Sequence, residues 1–195
     1  MFGEMKLIVA LTLENITPNV GIRAVSMAFI PCYTPFLITK LINMHKIEDK
    51  NITLTPLSLI DKIGVFDYDP CGLEFHKTAN KIISLPTDGL LEEWKGKVWL
   101  NPPYSNPKPF IKKLSEYGNG IALVLNSTDT VWFQEYGLKK ADAMFLLKGR
   151  PKFTRLDMTE VSIMRGVVLF AYGKDNALKL KDCGLKGYYV SLNGV

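Results

Sequence analysis

From about residue 51 onward, short aliphatic and β-branched runs alternate with amphipathic stretches. The cleanest run is Ile121-Ala122-Leu123-Val124-Leu125, which predicts a fully buried strand. Comparable runs at 65–68, 81–85, 97–100, 144–147 and 167–172 predict further strands. Between them, 107–117 places Phe110, Ile111 and Leu114 on one helical face with Lys112 and Lys113 outside. The stretch 130–140 predicts a second helix carrying Val131, Phe133 and Tyr136. Strands alternating with helices predict βαβ units, and hence an α/β fold around a mostly parallel sheet. In such sheets ligands bind beyond the carboxyl ends of the strands. The residues that follow each strand are therefore the ones to read for chemistry.

Upstream of this pattern the chain is harder to place. Residues 46–51 form a polar joint, and the division expected from it is a leader over 1–50 and a single domain over 51–195. The run Leu7-Ile8-Val9-Ala10-Leu11 is thin for a signal-peptide core and lacks a small-residue cleavage site. The apolar stretch 24–39 is too short to span a bilayer and is broken by Pro31 and Pro35. An extra packing element, an unordered leader and a true start at Met44 all fit this region.

Composition narrows the class. Of 195 residues, 47% are hydrophobic and 22% charged, which excludes wholesale disorder. The length suits one domain with a sizeable core. Cys32, Cys71 and Cys183 are too scattered for a disulfide framework and point to a reducing compartment such as the cytoplasm. With only His45 and His76 beside them, no metal site is expected. The net charge of +5 favours a polyanionic partner.

One tetrapeptide carries specific chemistry. The strand at 97–100 stops at Asn101-Pro102-Pro103-Tyr104. A proline turn is the bland explanation. The chemical one starts from an exocyclic amine whose lone pair is delocalised into a base. Two acceptors aimed at its N–H bonds draw the nitrogen toward tetrahedral geometry and free the lone pair. The Asn101 side-chain oxygen and the Pro102 carbonyl are suited to this, and Pro103 stiffens them before the substrate arrives. Tyr104 offers a flat face for a base taken out of the duplex. No protein nucleophile is needed, because alignment of the two reactants supplies most of the catalysis.

Several stretches occur in order: Thr55-Pro56 with Leu59-Ile60 behind it, Phe66-Asp67-Tyr68-Asp69-Pro70-Cys71, Thr87-Asp88-Gly89-Leu90 then Trp94, Asn101-Pro102-Pro103-Tyr104-Ser105, and Gly149-Arg150 then Phe153. Together, from about Thr55 to Gly173, they resemble the phage-type, Dam-like DNA N6-adenine methyltransferases. The resemblance implies a Rossmann-like methyltransferase fold, S-adenosylmethionine as donor, and a flipped adenine of double-stranded DNA as acceptor. It implies no membrane association and no obligate protein partner. It further implies that Thr55, Pro56, Asp69, Pro70 and Cys71 form the donor pocket.

The individual residues have ordinary roles too. Asp69 suits the donor's ammonium group or a turn, and Asp67 is a weaker second candidate on the same strand. Asp88 suits the donor's adenine amine or a glycine-assisted turn. Cys71 has no activating base nearby and is not expected to act as a nucleophile. Ser105 and Arg150 are the candidate DNA contacts, Arg150 because it follows a strand at the ligand-binding edge. Lys108, Lys112, Lys113, Lys139, Lys140, Lys148, Lys152, Arg155 and Arg165 complete a basic second half, in which the helix lysines are expected to be solvated. Trp99 and Trp132 are expected in the core.

Three features depart from the family pattern. The glycine-rich loop is reduced to Gly72, the span from Asp69 to Asn101 leaves room only for compressed second and third strands, and few residues follow the last core strand. The tetrapeptide alone also suits methyltransferases acting on cytosine N4, RNA adenine or protein glutamine. A basic nucleic-acid-binding module with a structural proline turn is the non-enzymatic alternative.

Overall fold

The computed structural model describes residues 53–155 and 158–193. The expected leader, with Cys32 and His45, lies outside the described residues. The strands and helices are β1 (Thr53–Leu54), α1 (Leu57–Ile63), β2 (Tyr68–Asp69), β3 (Lys81–Ile82), β4 (Val98–Leu100), α2 (Lys108–Tyr117), β5 (Gly120–Leu125), a π-helical segment (Phe133–Leu138), β6 (Ala143–Leu147), β7 (Lys152–Arg155), β8 (Glu160–Ser162), β9 (Val167–Tyr172), α3 (Lys174–Asp182) and β10 (Gly187–Ser191).

Seven of these strands form one sheet in the order β10-β6-β9-β5-β4-β2-β3. The pairings β3–β2, β2–β4 and β4–β5 are parallel, whereas β5–β9, β9–β6 and β6–β10 are antiparallel. The fold is mixed α/β, and the expectation of a mostly parallel sheet is corrected to an evenly mixed ladder. The physical cause is β9. It returns against β5 through six residue pairs, from Gly120↔Tyr172 to Leu125↔Val167, and so reverses the direction between β5 and β6. Being antiparallel to β9, β6 points the same way as β5.

Side-chain alternation explains why the sheet is covered on both faces. Trp99, Ile121, Leu123, Leu169 and Ala171 pack with Leu59, Ile60 and Ile63 of α1 and with Ala177 and Leu180 of α3. Val98, Leu100, Ala122, Val124, Val168 and Phe170 face the other way, onto Ile111 and Leu114 of α2 and onto Phe133. Successive residues of a strand point to opposite faces, so an unbroken apolar run requires a layer on each side. Trp99 is fully buried, as expected, and burying such a side chain contributes about 2–3 kcal/mol. Trp132 is half-buried and meets Phe133 edge-on.

The helices follow local signals. Prolines precede and open α2, and it stops at Gly118, whose left-handed φ of 76° suits a glycine cap. The helix expected over 130–140 takes a wider form: six of its residues are π-helical. Gly137 lies under the Phe170 ring, where a Cβ would come within 2.6 Å of a ring carbon.

Other expectations need correction. The strands expected at 65–68 and 81–85 shrink to two residues each, and along the chain only β3, the edge strand of the sheet, comes between β2 and β4. The chain after β9 is more structured than expected, with α3 packed on the sheet and β10 extending its edge. A second sheet, β1-β7-β8, pairs Leu54 with Thr154 and Thr53 with Arg155. It ties the chain entering Thr55 to the chain leaving Arg150. Among the described residues no helix is long and apolar enough to cross a membrane.

Candidate active site

The carboxyl ends of β3, β2, β4 and β5 lie side by side, and the segments leaving them carry most of the residues singled out above. Asn101 follows β4 directly. Its Nδ2 donates to the Thr55 Oγ1 at 3.1 Å. Its Oδ1 is shielded from solvent and has no hydrogen-bond partner among the described residues. A buried, unpaired amide oxygen costs about 1–3 kcal/mol, so its presence at a strand tip needs a reason. Pro102 is buried and Pro103 exposed, and the Pro103 carbonyl accepts from the Asn106 N–H at 3.1 Å, which closes the turn. Tyr104 is half-buried with its hydroxyl shielded and unpartnered among the described residues, and burial pushes that hydroxyl's pKa up. Ser105 is exposed.

Thr55 is buried, and its carbonyl accepts from the His76 Nε2 at 2.8 Å. Pro56 sits at the start of α1, and its carbonyl accepts from the Leu59 N–H at 2.9 Å.

At the tip of β2, Asp69 is buried. One carboxylate oxygen accepts from the Cys71 N–H at 2.9 Å and the other from the Thr78 hydroxyl. Desolvation pushes its pKa up to about 6, against the opposing pull of these two hydrogen bonds. Gly72 covers the same carboxylate, where a Cβ would fall 2.8 Å from an Asp69 oxygen. Burial, helped by the charges of Asp69 and Asp88, raises the Cys71 thiol well above its ordinary value. A thiol held protonated in this way is a poor nucleophile. The same two carboxylates set a negative potential at Cys71, which suits a cationic ligand.

Asp88 is exposed, and its carboxylate accepts from the Leu90 N–H at 2.9 Å, the geometry of an aspartate turn. That turn is pressed against Pro70. A Cβ on Gly89 would come within 2.0 Å of the Pro70 carbonyl oxygen, so only glycine permits the approach. The Gly89 carbonyl accepts from the Trp94 indole at 2.7 Å. Lys113 then locks the loop, donating to the carbonyls of Leu90 at 2.7 Å and Glu92 at 2.6 Å while lying over the Trp94 ring. This corrects the expectation that the helix lysines are merely solvated. Lys108 and Lys112 are exposed, but Lys113 is a structural strut.

The structure thus brings Thr55 to Asn101, and Asp88-Gly89 to Pro70. Arg150 is not brought to Asn101 in the same way. It is exposed beyond β6, which β9 separates from β5. Arg165 is nearer by topology, since it precedes β9 at the carboxyl end of β5, with Nη1 3.5 Å from the Ser127 Oγ. Asp67 is corrected outright as a donor-pocket candidate. It precedes β2, accepts from the Lys97 N–H at 2.7 Å and the Asn80 Nδ2 at 3.4 Å, and braces the amino-terminal end of the sheet. Sequence reasoning missed Thr78 and considered His76 only as a metal ligand. Both act through contacts with residues distant in the chain and carry no motif of their own. Among the described residues no group of three or more His, Cys, Asp or Glu side chains is placed to hold a metal ion.

A profile of the DNA N-6-adenine-methyltransferase (Dam) family matches residues 44–169, well over half of the chain. The chain belongs to the Dam family. Among its curated relatives, the DNA N-6-adenine-methyltransferase of Escherichia phage T1 is 36% identical over 92 residues, covering 44% of this chain and 38% of the relative. That of Haemophilus phage HP1 (strain HP1c1) is 29% identical over 94 residues, covering 45% of this chain and 54% of the relative. The matched part of this Dam-family chain therefore spans only 38% and 54% of the length of these two relatives. The profile match contains Thr55, Asp69, Asp88, Asn101 and Arg150.

Proposed function

We propose that the chain transfers a methyl group from S-adenosylmethionine to the exocyclic N6 of adenine in DNA. The observation that carries this reading is the Asn101 side-chain oxygen, buried, unpaired and held at the tip of β4. Membership of the Dam family supports the acceptor and the donor. The co-directional strands β2, β3, β4, β5 and β6, with β9 reversed among them, support a Rossmann-like methyltransferase architecture for the 51–195 domain.

The residues present fit the donor. A sulfonium and an ammonium both favour the negative potential that Asp69 and Asp88 produce around Cys71. Thr55, Pro56, Asp69, Pro70, Cys71 and Asp88 line this end of the sheet, with Gly72 and Gly89 permitting the close approach. When bound, S-adenosylmethionine supplies an electrophilic methyl carbon whose sulfur is the leaving group.

The protein's part is to hold the acceptor. The Asn101 Oδ1 and the Pro102 carbonyl accept the two N–H bonds of the adenine amine, and the lone pair turns toward the methyl carbon. Pro102 and Pro103 keep these acceptors from relaxing, so little reorganisation accompanies the reaction. Tyr104 stacks on an adenine flipped from double-stranded DNA. Ser105 and Arg165 contact the backbone near the flipped base, Arg150 contacts it farther along the duplex, and the net charge of +5 favours that polyanion. A reducing cytoplasm suits a protein whose described cysteines, Cys71 and Cys183, are free.

The test is to titrate the full chain with S-adenosylmethionine and then offer the labelled donor to duplex DNA, RNA and a protein extract separately. Stoichiometric donor binding with label in DNA is expected. Label confined to RNA or protein would remove the DNA assignment. Absence of donor binding would leave a nucleic-acid-binding module.

A further inference from the structure

Among the described residues, a hydrogen bond from the Asn101 Nδ2 to the Thr55 Oγ1 joins the proposed acceptor site to the proposed donor site. An asparagine amide presents a nitrogen on one side and an oxygen on the other, and the two are nearly equal in size. If the amide turned over, two N–H bonds would face the substrate amine and repel its own. The neighbour that the amide nitrogen meets is a hydroxyl, which accepts from it; a hydroxyl can donate as well, so the contact holds the amide in place, and the substrate amine, which needs an acceptor, selects the oxygen end.

We infer that Thr55 is a positioning residue for methyl transfer: its hydroxyl anchors the amide of Asn101 at the strand tip, leaving Oδ1 free for the substrate amine. The inference rests on the functional reading above, and it gives Thr55 a role distinct from holding the donor.

Three further observations support it. Thr55 is buried, so water does not compete for its hydroxyl. Its backbone is held from the other side by the His76 Nε2 on its carbonyl at 2.8 Å. Leu54, immediately before it, pairs with Thr154 of β7, so the chain entering the site is fixed as well. Asn101, meanwhile, has no described partner on its oxygen that would hold the amide unaided. A residue 46 positions away in sequence therefore holds the amide where the substrate would meet it.

The experiment compares the full chain with Thr55→Val and Thr55→Ser. Valine keeps the shape and removes the acceptor, whereas serine restores it. Under saturating S-adenosylmethionine and DNA, Thr55→Val is expected to lower kcat by about tenfold to a hundredfold, the scale of a slightly misplaced reacting group. The donor Kd should move by no more than about threefold, since the lost contact serves the transition state. Thr55→Ser should recover most of the rate. A second reading needs no activity: the Asn101 side-chain amide protons, followed by NMR in asparagine-labelled protein, should exchange faster and shift in Thr55→Val but not in Thr55→Ser.

A normal kcat in Thr55→Val overturns the inference, as does a raised donor Kd with kcat restored at saturation, which would make Thr55 a donor ligand only. Serine failing to rescue a folded valine variant's rate overturns it too. Amide signals that ignore the valine change show that the bond does not hold Asn101. If the wild-type chain transfers no methyl group, the functional reading falls and takes the catalytic role of this contact with it, while the NMR comparison still reports whether Thr55 anchors Asn101.

Discussion

The two ends of the central sheet are built from similar parts and left in different states. Each has an aspartate on the β2 segment and a glycine beneath it whose Cβ would collide with the carboxylate: Gly96 under Asp67, Gly72 under Asp69. At the amino-terminal end the polar groups spend themselves on one another. Asp67 takes the Lys97 N–H, Asn119 joins Asn176 at 2.9 Å, and both Asn119 and Tyr117 donate to the Gly96 carbonyl. A shielded group there without a hydrogen bond among the described residues is the Lys97 ammonium, which lies over the Phe66 ring and is lowered by burial to about 8. At the carboxyl end the Asn101 oxygen and the Tyr104 hydroxyl are buried and unspent, and Asp69 is ionised against its desolvation. Satisfied polar groups stabilise a fold, and unsatisfied ones held rigidly mark where a ligand is to complete them.

The sharpest way to break this contrast is to truncate an asparagine at each end. Asn101→Ala should reduce kcat by about a hundredfold to a thousandfold, the usual cost of removing one preorganised polar contact to a transition state. Its melting temperature should change little. Asn119→Ala should leave kcat alone and cost about 1–2 kcal/mol of stability, because it strips a partner from the buried Asn176. Steady-state kinetics with thermal melts on both variants reads the difference.

Next in size is the acidity of Asp69. Its folded pKa of about 6 exceeds the ordinary carboxylate value of about 4 expected of the unfolded chain. Between these values the folded protein holds a proton that the unfolded chain has released, so stability falls as pH rises from 4 to 6 and stays lowered above. Asp69→Asn removes that loss. Relative to wild type it should gain about 3 kcal/mol between pH 4 and pH 7, measured by denaturant unfolding across the range. S-adenosylmethionine binding should move oppositely in wild type, tightening as Asp69 ionises.

Smaller again is the glycine comparison. Gly89→Ala and Gly96→Ala should each cost about 1–3 kcal/mol from overpacking. Only Gly89→Ala should weaken donor binding, because it pushes the Asp88 turn off Pro70. The smallest effect belongs to Tyr104→Phe. Removing an unpaired buried hydroxyl should leave the ligand-free protein unchanged or more stable by up to ~1 kcal/mol, read as a rise in melting temperature.

How much of this was legible beforehand follows the physics of each part. The runs at 120–125, 143–147 and 167–172 declare themselves, since a strand buried on both faces must be apolar throughout. The sheet β1-β7-β8 does not, because its strands are short and half polar, as in Lys152-Phe153-Thr154-Arg155. The helix α3 buries only Asn176, Ala177 and Leu180, too thin a stripe to stand out among lysines. Strand direction was misjudged because hydrophobicity records burial and not orientation, so β9 looked like any other buried strand. In the site, Asn101-Pro102-Pro103-Tyr104 was readable because its chemistry lies in adjacent residues. The Thr78–Asp69 and His76–Thr55 contacts join residues 9 and 21 positions apart, and only the folded chain shows them.

The most direct measurement of the central claim is nucleoside analysis of duplex DNA after a single turnover with methyl-labelled S-adenosylmethionine, run beside Asn101→Ala with its donor binding measured in parallel. The account predicts label in N6-methyladenine for the wild-type chain, and its near-disappearance in Asn101→Ala while the donor still binds. Label on cytosine alone, or an Asn101→Ala rate equal to wild type, would contradict it.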